Sequence, residues 1–452
     1  MNTITREKKR PRVLFANFPA DGHFNPLTSL AVHLSSIGYD VRWYASSGHA
    51  AKLKKLKIPH YPFKKAIDVS GNNFDQIFPG RTKYKSQPGK LKFDLIHAFI
   101  LRGPEYRADI EEIYKTFPFD LLVADCAFTG IPFVKDIMRI PVISIGVLPL
   151  MGSSRDLPPN GLGLTPSYTL AGKAKQLLLR TLSNHIIFKG PNKVMHQVLD
   201  EAGIPHQKEN IFDMLISKVD LLLQSGTPGF EYYRSDLGKN IHFIGPLLPY
   251  DSGNLRAQWF SEKLNQYKRV VLVTQGTVEK EVKKIIIPTL EAFKNSNTLV
   301  ICTTGGSQTR ELKTAYPQSN FIIEDFIPFN DVMPYADVYI TNGGYGGVLL
   351  GIENNLPMVV AGIHEGKNEI CARVGYFKLG INLKTETPLP QQIRKAVDEV
   401  TANDSYKKNV CKLSGEFLQY EPTSLFTKHV ERLLYPGVIK RETNIFHTEA
   451  VC

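Results

Sequence analysis

His23 is the residue of this sequence whose position best suits proton transfer. It lies in the segment PADGHFNP, between the apolar run RVLFANF, which is typical of a buried strand, and the periodic run LTSLAVHLSSIGY, which is typical of a helix. The positive end of a helix dipole disfavours the imidazolium form, so a histidine in this loop should stay neutral and able to accept a proton. The alternative is a structural or solvent-exposed histidine, as most of the twelve histidines in the chain are expected to be.

Asp125 ends a second run of strand type, DLLVAD. Because parallel strands end at the same edge of a sheet, Asp125 is a candidate to bind one nitrogen of His23 and to set its tautomer. Asp21 is nearer to His23 in the sequence, but it is more simply a turn or cap residue. These positions make His23 a candidate general base and Asp125 a candidate partner for it.

The stretch ITNGGYGGV, residues 340–348, is rich in glycine and follows the strand-like run ADVYI. Glycine permits the positive φ angles that a sharp turn requires. It also lets an anion approach bare backbone N–H groups at a helix N-terminus. These residues alone leave two interpretations open, a structural turn and a phosphate-binding loop.

Strand-like and helix-like runs alternate along the 452 residues in two series. This order predicts an α/β protein with two Rossmann-like domains, each on a doubly wound parallel sheet, facing each other across a cleft. We place the first domain at residues 1–245, a linker at 246–256, the second domain at 257–430 and a tail at 431–452 that could return to the first domain. Neither half has G-x-G-x-x-G after its first strand, nor G-x-x-x-x-G-K-[S/T], which argues against a dinucleotide oxidoreductase and a P-loop NTPase.

The composition, with 42% hydrophobic residues, is that of a globular protein. The net charge of +12 fits an acidic ligand such as a nucleotide, an anionic membrane surface or nucleic acid. There is no arginine-rich run with interleaved aromatics, so we expect no nucleic-acid partner. No apolar run reaches the roughly 18 residues of a membrane span, so we expect no stable membrane insertion. The five cysteines are scattered without metal spacing, which favours a reducing cytoplasm and no metal site.

Six motifs, taken in their order and spacing, resemble those of the family 1 nucleotide-sugar-dependent glycosyltransferases of the GT-B fold, which include plant natural-product and bacterial macrolide enzymes. The motifs are PADGHFNP, LLVADCAF, FIGPLLP, VTQGT, FIPFNDVMPYADVYITNGGYGGV and LPMVVAGIHEGKNEICARV. The resemblance covers nearly the whole chain. The variant TNGGYGGV with E-x-K-x-E-x-x-A-R-V is similar to a bacterial branch of the family.

The resemblance implies that His23 acts as the general base and that Asp125 is the acid that orients it. It also implies that the glycine-rich turn holds the diphosphate of a sugar donor and that Phe326 stacks on the nucleotide base. Two residues depart from the family pattern: Asn342 stands where a phosphate-contacting histidine is usual, and Leu350 where a glutamate holds the ribose. Glu353, one helical turn later, could replace that glutamate only if the helix were displaced. The donor-binding residues implied in this way are Gln275, Gly276, Thr277, Phe326, Ile327, Asn342, Gly344, Gly346, Gly347, Val348, Glu365, Gly366 and Lys367.

Bland alternatives exist for some of these residues. Ile327 could be a core residue at a strand end, and Glu365 and Lys367 could be solvated loop charges. The segments at residues 66–101 and 152–192 mix Gly, Pro, Lys and aromatics, and we expect loops, short helices and acceptor contacts there.

We therefore expect an inverting transfer of a sugar from a nucleoside diphosphate sugar, UDP-glucose-like in the simplest case, to a hydroxyl of an apolar aromatic or polyketide-like molecule. The enzyme would act as a monomer, without metal or other cofactor, because backbone donors replace a metal and no carboxylate pair is placed for one. Two alternatives remain: a nucleotide-sugar-binding accessory protein without transfer activity, and a nucleotide-sugar epimerase of the same fold. The losses at Asn342 and Leu350 motivate the first alternative, whereas His23 and Asp125 argue against it, because binding alone needs no base.

Overall fold

The computed structural model describes residues 10–69, 74–250, 258–276 and 279–436, which form two parallel β-sheets. The strands of the first sheet are β1 Arg12–Ala16, β2 Asp40–Ala45, β3 His60–Pro62, β4 Leu121–Asp125, β5 Val142–Gly146, β6 Leu221–Ser225 and β7 Ile241–Gly245. The strands of the second sheet are β8 Arg269–Thr274, β9 Thr298–Thr303, β10 Phe321–Glu324, β11 Val338–Thr341, β12 Met358–Val360 and β13 Gly380–Asn382.

The spatial order of the strands is β3-β2-β1-β4-β5-β6-β7 in the first sheet and β10-β9-β8-β11-β12-β13 in the second. In each sheet the order reverses beside the strand that comes first in the sequence, β1 in the first sheet and β8 in the second. The neighbours of this strand on both sides are parallel to it. This is the doubly wound arrangement, which places a ligand crevice at the carboxyl ends of the central strands.

Helices connect the strands and cover both sheets. In the first half they are α1 Asp21–Ser36, α2 Ala50–Lys55, α3 Phe74–Ile77, α4 Gln87–Asp94, α5 Gly103–Thr116, α6 Leu170–Leu182, α7 Lys189–Glu201 and α8 Ile211–Ser217. After β8 in the sequence they are α9 Ile286–Phe293, α10 Thr309–Ala315, α11 Phe329–Val332, α12 Tyr345–Glu353, α13 Lys367–Tyr376, α14 Pro390–Ala402, α15 Asp404–Phe417 and α16 Pro422–Leu434.

Each sheet is buried on both faces, as the continuous apolar runs of its strands require. Along β1, Val13 and Phe15 pack in one apolar cluster and Leu14 in another. Along β8, Leu272 and Val273 likewise belong to clusters on opposite faces. The predicted fold class, two Rossmann-like domains on parallel sheets, is confirmed.

The last helix returns to the first sheet. Phe426 and Val430 of α16 are fully buried in the cluster that contains Val13, and His33 of α1 lies 3.1 Å from the hydroxyl of Thr427. The predicted boundary at residue 430 falls inside this helix, and the chain leaves the second half by residue 422. An amphipathic pattern predicts a helix but does not say which sheet covers it, so the sequence does not place this boundary.

Parts of the predicted domain scheme lie outside the described residues, namely 251–256 of the linker and 437–452 of the tail. The exact domain limits therefore remain predictions. Among the helices of the described ranges, none has the length and apolar character needed to cross a bilayer.

Candidate active site

His23 and Asp125 form a hydrogen-bonded pair at the carboxyl edge of the first sheet. The helix α1 begins at Asp21, so His23 lies in its first turn and not in a loop before it. The Nδ1 atom of His23 is 2.6 Å from Oδ1 of Asp125. A carboxylate oxygen accepts at this contact, so the proton is on Nδ1 and the free lone pair is on Nε2. The His23 side chain is 15% exposed and that of Asp125 is 0% exposed, so the base can meet a substrate and its partner cannot.

Backbone donors hold the Asp125 carboxylate in place. The N–H of Phe18 donates to its Oδ2 at 2.6 Å, and the N–H of Ala127 donates to its Oδ1 at 2.8 Å. Both contacts come from the loops that follow β1 and β4, where the two strands end. They fix the carboxylate and, through it, the plane of the His23 ring.

Asp21 is the first residue of α1 and has other partners; the N-cap is Ala20, which makes no side-chain cap bond, so the interpretation of Asp21 as a cap is wrong. Its carboxylate lies 2.5 Å from Nζ of Lys52 and 3.3 Å from Nε2 of His49. The hydrogen bond from His49, followed by that from Lys52, lowers the pKa of Asp21 to about 2 against the opposing effect of burial. Asp21 is therefore an ionised anchor for α2 and its preceding turn.

Two aromatic rings border His23. The ring of Phe18 meets the imidazole edge to face, with centroids 5.4 Å apart, and stacks on Phe99 at 4.3 Å and 6°. Neither residue is among those that the sequence predicts for the site. Phe18 lies inside the first motif and could have been suspected, whereas Phe99 comes from a distant segment that no local signal connects to His23.

The glycine-rich turn contains both a structural glycine and an open one. Gly343 has a φ of 78°, and a Cβ there would lie 2.3 Å from the sulfur of Cys371, so only glycine fits. A Cβ at Gly346 would meet nothing within 4 Å. Gly343 therefore makes the bend, as the structural interpretation requires, and Gly346 faces free space at the start of α12, where the phosphate-binding interpretation stays a prediction.

The N–H groups of this turn are not all free. The N–H of Val348 donates to the carbonyl of Gly344 at 3.0 Å, closing the first turn of α12, and that of Gly344 donates to Oδ1 of Asn342 at 3.3 Å. Val348 is also fully buried. The predicted phosphate donors Gly344 and Val348 are therefore engaged within the protein, because the helix begins at Tyr345, and Gly346 and Gly347 are the remaining candidates.

Asn342 ties the glycine-rich turn to the loop after β8. Its buried side chain donates through Nδ2 to the carbonyl of Gln275, and a Cβ at Gly276 would lie 3.6 Å from this nitrogen. One of its two amide hydrogens is used in this way. A phosphate contact of Asn342 remains a prediction for the other hydrogen.

The side chain of Gln275 does not serve a ligand. Its Oε1 accepts from the N–H groups of Ile285 and Ile286 at 2.9 and 3.2 Å, and its Nε2 donates to the carbonyl of Glu281 at 3.1 Å. The residue is 2% exposed. This side chain caps α9, and the backbone carbonyl of Gln275 borders the turn, so a donor contact of Gln275 through its backbone stays a prediction. The neighbouring prediction, Thr277, lies outside the described residues.

Phe326 and Ile327 point in different directions. The Phe326 ring is 73% exposed just after β10, so one face is open to a base. Ile327 is 5% exposed and belongs to the core that contains α12. The bland alternative is therefore right for the Ile327 side chain, and its predicted backbone contact with a base stays a prediction.

The loop before α13 packs directly on the glycine-rich turn. A Cβ at Gly362 would lie 2.1 Å from the carbonyl oxygen of Asn342. Further along, Glu365 and Gly366 have φ angles of 58° and 77°, and Nζ of Lys367 lies 2.5 Å from the Glu365 carboxylate. This ion pair is placed beside the turn, where a diphosphate sugar would need both a cation and a hydroxyl acceptor.

Leu350 and Glu353 lie further along α12. Leu350 is partly buried and packs against the core of the second half. The carbonyl of Glu353 accepts a hydrogen bond from Ser414 of α15 at 3.2 Å, which fixes the helix at this level. The displacement that Glu353 would need in order to replace the usual glutamate is therefore opposed by this contact.

The two halves of the chain meet at α12. The hydroxyl of Tyr345, the first residue of α12, donates to the carbonyl of Ser225 at the end of β6 at 2.7 Å. The helices α1 and α12 are also in contact. The helix that carries His23 and the helix that starts at the glycine-rich turn are therefore neighbours across the boundary between the two sheets.

The chain is similar to known proteins in sequence and in fold. Residues 173–422 match the family model described as UDP-glucoronosyl and UDP-glucosyl transferase. The chain is 32% identical to 4'-demethylrebeccamycin synthase of Lentzea aerocolonigenes, over 90% of this chain and 95% of that protein. It is 30% identical to UDP-glucosyltransferase 1 of Beauveria bassiana, over 88% and 90% of the two chains.

In fold it is similar to the crystal structure of the glycotransferase of kitacinnamycin, with a TM-score of 0.73, 17% identity, and coverage of 94% of this chain and 100% of that one. The predicted resemblance is confirmed by these findings. The motifs, the two parallel sheets and the family match agree that this chain belongs to the UDP-glucoronosyl and UDP-glucosyl transferase family of enzymes.

Proposed function

We propose that this enzyme transfers a sugar with inversion from a nucleoside diphosphate sugar, UDP-glucose-like in the simplest case, to a hydroxyl of an apolar aromatic or polyketide-like molecule, and that His23 is the general base. The observation that carries the proposal is the 2.6 Å contact between Nδ1 of His23 and the buried Asp125 carboxylate. This contact leaves Nε2 free to accept a proton on the exposed side of the ring.

In the proposed reaction Nε2 of His23 removes the proton from the acceptor hydroxyl. The hydroxyl oxygen attacks the anomeric carbon, and the bond from this carbon to the diphosphate breaks on the opposite face, so the configuration inverts. The diphosphate leaves with the electron pair. Asp125 stabilises the imidazolium that forms, and a positioned base of this kind contributes roughly 10²–10⁴ in rate.

Residues of the second half would supply the contacts with the sugar donor. The first-turn N–H groups of Gly346 and Gly347 would meet the leaving diphosphate and stabilise the charge that builds on it. The open face of Phe326 would stack on the base, and Glu365 and Lys367 would hold the sugar hydroxyls and the phosphate. No metal is needed in this scheme.

The acceptor would lie against Phe18 and Phe99, whose stacked rings form an apolar wall beside His23. Such a wall favours a flat or apolar acceptor over a sugar. The name of one relative, 4'-demethylrebeccamycin synthase, supports a natural-product acceptor.

We also propose that the enzyme works as a monomer in a reducing cytoplasm. The base and the glycine-rich turn both come from one chain, so a second copy is not needed to complete the site. Among the described residues, Cys126, Cys302, Cys371 and Cys411 are free thiols, which suits a reducing compartment.

The test is an assay with a panel of UDP- and dTDP-sugars and a generic phenol, with and without EDTA, in which the products are identified by mass. A β-linked glycoside from an α-configured donor, formed equally well in EDTA, is the expected product. Free sugar or an epimer in place of a glycoside would favour the epimerase, and no turnover of any donor would favour a binding protein. A strict magnesium requirement that persists at donor saturation would contradict the metal-free scheme.

A further inference from the structure

The helix α6 presents its apolar side chains to solvent. Leu170 is 88% exposed, and Leu177 and Leu178 are each 59% exposed. Leu182, at the end of the helix, is 44% exposed. A surface helix of a globular protein normally turns such a stripe towards the core.

The side of α6 that packs on the protein is polar. Gln176 is 4% exposed; its Oε1 accepts from the N–H of Ser167 at 2.6 Å, and its Nε2 donates to the carbonyl of Asp156 at 2.9 Å. One turn later, Arg180 donates to the carbonyl of Leu157. The helix is therefore held by hydrogen bonds to the preceding loop, and its orientation is the inverse of the usual one.

Cations surround this apolar face and acids are missing from it. Residues 157–199 contain five lysines and arginines and no aspartate or glutamate. Lys173 and Lys175 are exposed on α6 itself, among the leucines. Tyr168, which is 40% exposed just before the helix, and Tyr233, 69% exposed, pair at 6.3 Å and add rings of the kind that favour a membrane interface.

We propose that α6 docks this protein on an anionic phospholipid surface. The helix would lie in the plane of the interface, with Leu177 and Leu178 at the boundary of the acyl chains and Lys173 and Lys175 beside the phosphates. This goes beyond the proposed function, which concerns the chemistry alone, and it places the enzyme where apolar acceptors partition. A second copy of the chain suits the face less well, because two such faces would oppose their cations to each other.

The experiment is co-sedimentation of the full-length chain with vesicles of mixed phosphatidylglycerol and phosphatidylcholine, and with vesicles of phosphatidylcholine alone. At an ionic strength of about 0.1 M, where the Debye length is about 10 Å, we expect binding to the anionic vesicles that is at least about tenfold tighter than to the neutral ones and that weakens with added salt. Leu177→Gln with Leu178→Gln should weaken binding by about tenfold or more. Lys173→Gln with Lys175→Gln should weaken it by about fivefold per lysine.

The matched control is Leu418→Gln, since Leu418 is 83% exposed at the end of α15 in the other half and should not affect vesicle binding. Circular dichroism and gel filtration establish that each variant is folded and monodisperse. The proposal is overturned if the wild type does not sediment with anionic vesicles, or if the double leucine variant sediments as the wild type does. It is equally overturned if the leucine substitutions only dissociate a dimer, or only raise the KM of a soluble acceptor, with vesicle binding unchanged.

Discussion

The guanidinium of Arg373 on α13 lies 2.9 Å from the carboxylate of Glu231 in the first half, and both side chains are almost completely buried. Arg373 also lies 3.3 Å from Oε2 of Glu369, whose Oε1 accepts from the N–H groups of Gly161 and Gly163 at 2.9 and 2.8 Å. The buried guanidinium of Arg373 thus joins the two halves. Through Glu369, the same network connects the loop at Gly161 and Gly163 of the first half to α13, which begins at Lys367. We infer that this ion network sets the position of the loop at Glu365 and Lys367 relative to the first half.

Arg373→Met should destabilise the protein by about 3–5 kcal/mol, because it keeps much of the packing volume but leaves two buried carboxylates without their cation. Chemical denaturation of the two proteins measures this difference. Arg107→Met is the matched control: its surface pair with Glu111, at 2.6 Å and about one-third exposed, should contribute under about 1 kcal/mol. Equal effects of the two substitutions would show that the network does not hold the halves together.

The glycine-rich turn allows a paired test of its two kinds of glycine. Gly343→Ala should lower the thermal stability, because its Cβ would lie 2.3 Å from the sulfur of Cys371 at a positive φ. Gly346→Ala should fold at least as well as the wild type, since alanine favours a helix by about 1 kcal/mol, yet weaken the binding of UDP by about tenfold or more through its methyl group. Melting curves and calorimetric titration of UDP measure both. If Gly346→Ala binds UDP as tightly as the wild type does, the diphosphate does not bind at this turn.

Much of this site could be predicted from the sequence because its residues stand where strands end. His23 follows one apolar run and Asp125 ends another. Both runs had to be parallel strands, and parallel strands bring their carboxyl ends to one edge of the sheet. The glycine-rich turn and the loop at Glu365 follow two further strands of this kind. Strand order therefore groups His23 with Asp125, and the loops of the second half with one another, whereas the roles predicted for these residues came from the resemblance to the family.

The other features of the site and the fold depend on the direction in which a side chain or a helix face points, which hydrophobic periodicity does not give. Gln275 follows a strand as a ligand-binding residue would, but its side chain turns back to cap α9. Phe99 reaches Phe18 from a segment far along the chain, and α16 packs on the first sheet although it follows the second. The pattern of α6 predicts one apolar face and does not say that this face points outward.

Leu350 should make the enzyme accept donors with ribose and donors with deoxyribose about equally well, because leucine offers no acceptor for the 2′ and 3′ hydroxyls. The kcat/KM values for a UDP-sugar and the matching dTDP-sugar should agree within about tenfold, or ~1.4 kcal/mol. Leu350→Glu should shift the preference towards the ribose donor, and Leu350→Gln is its uncharged control. A wild type that already prefers the UDP-sugar by far more than tenfold, with no further shift in Leu350→Glu, would mean that Glu353 or another group holds the ribose.

The most direct test of His23 as the base is the single-turnover rate of His23→Ala at saturating donor. The proposed mechanism predicts a loss of about 10²-fold or more in this rate, with the dissociation constant of UDP unchanged, since His23 lies on the acceptor side of the site. His33→Ala, on the same helix but bonded to Thr427, is the control and should keep the wild-type rate. A His23→Ala enzyme that turns over within a few-fold of the wild type would contradict the mechanism.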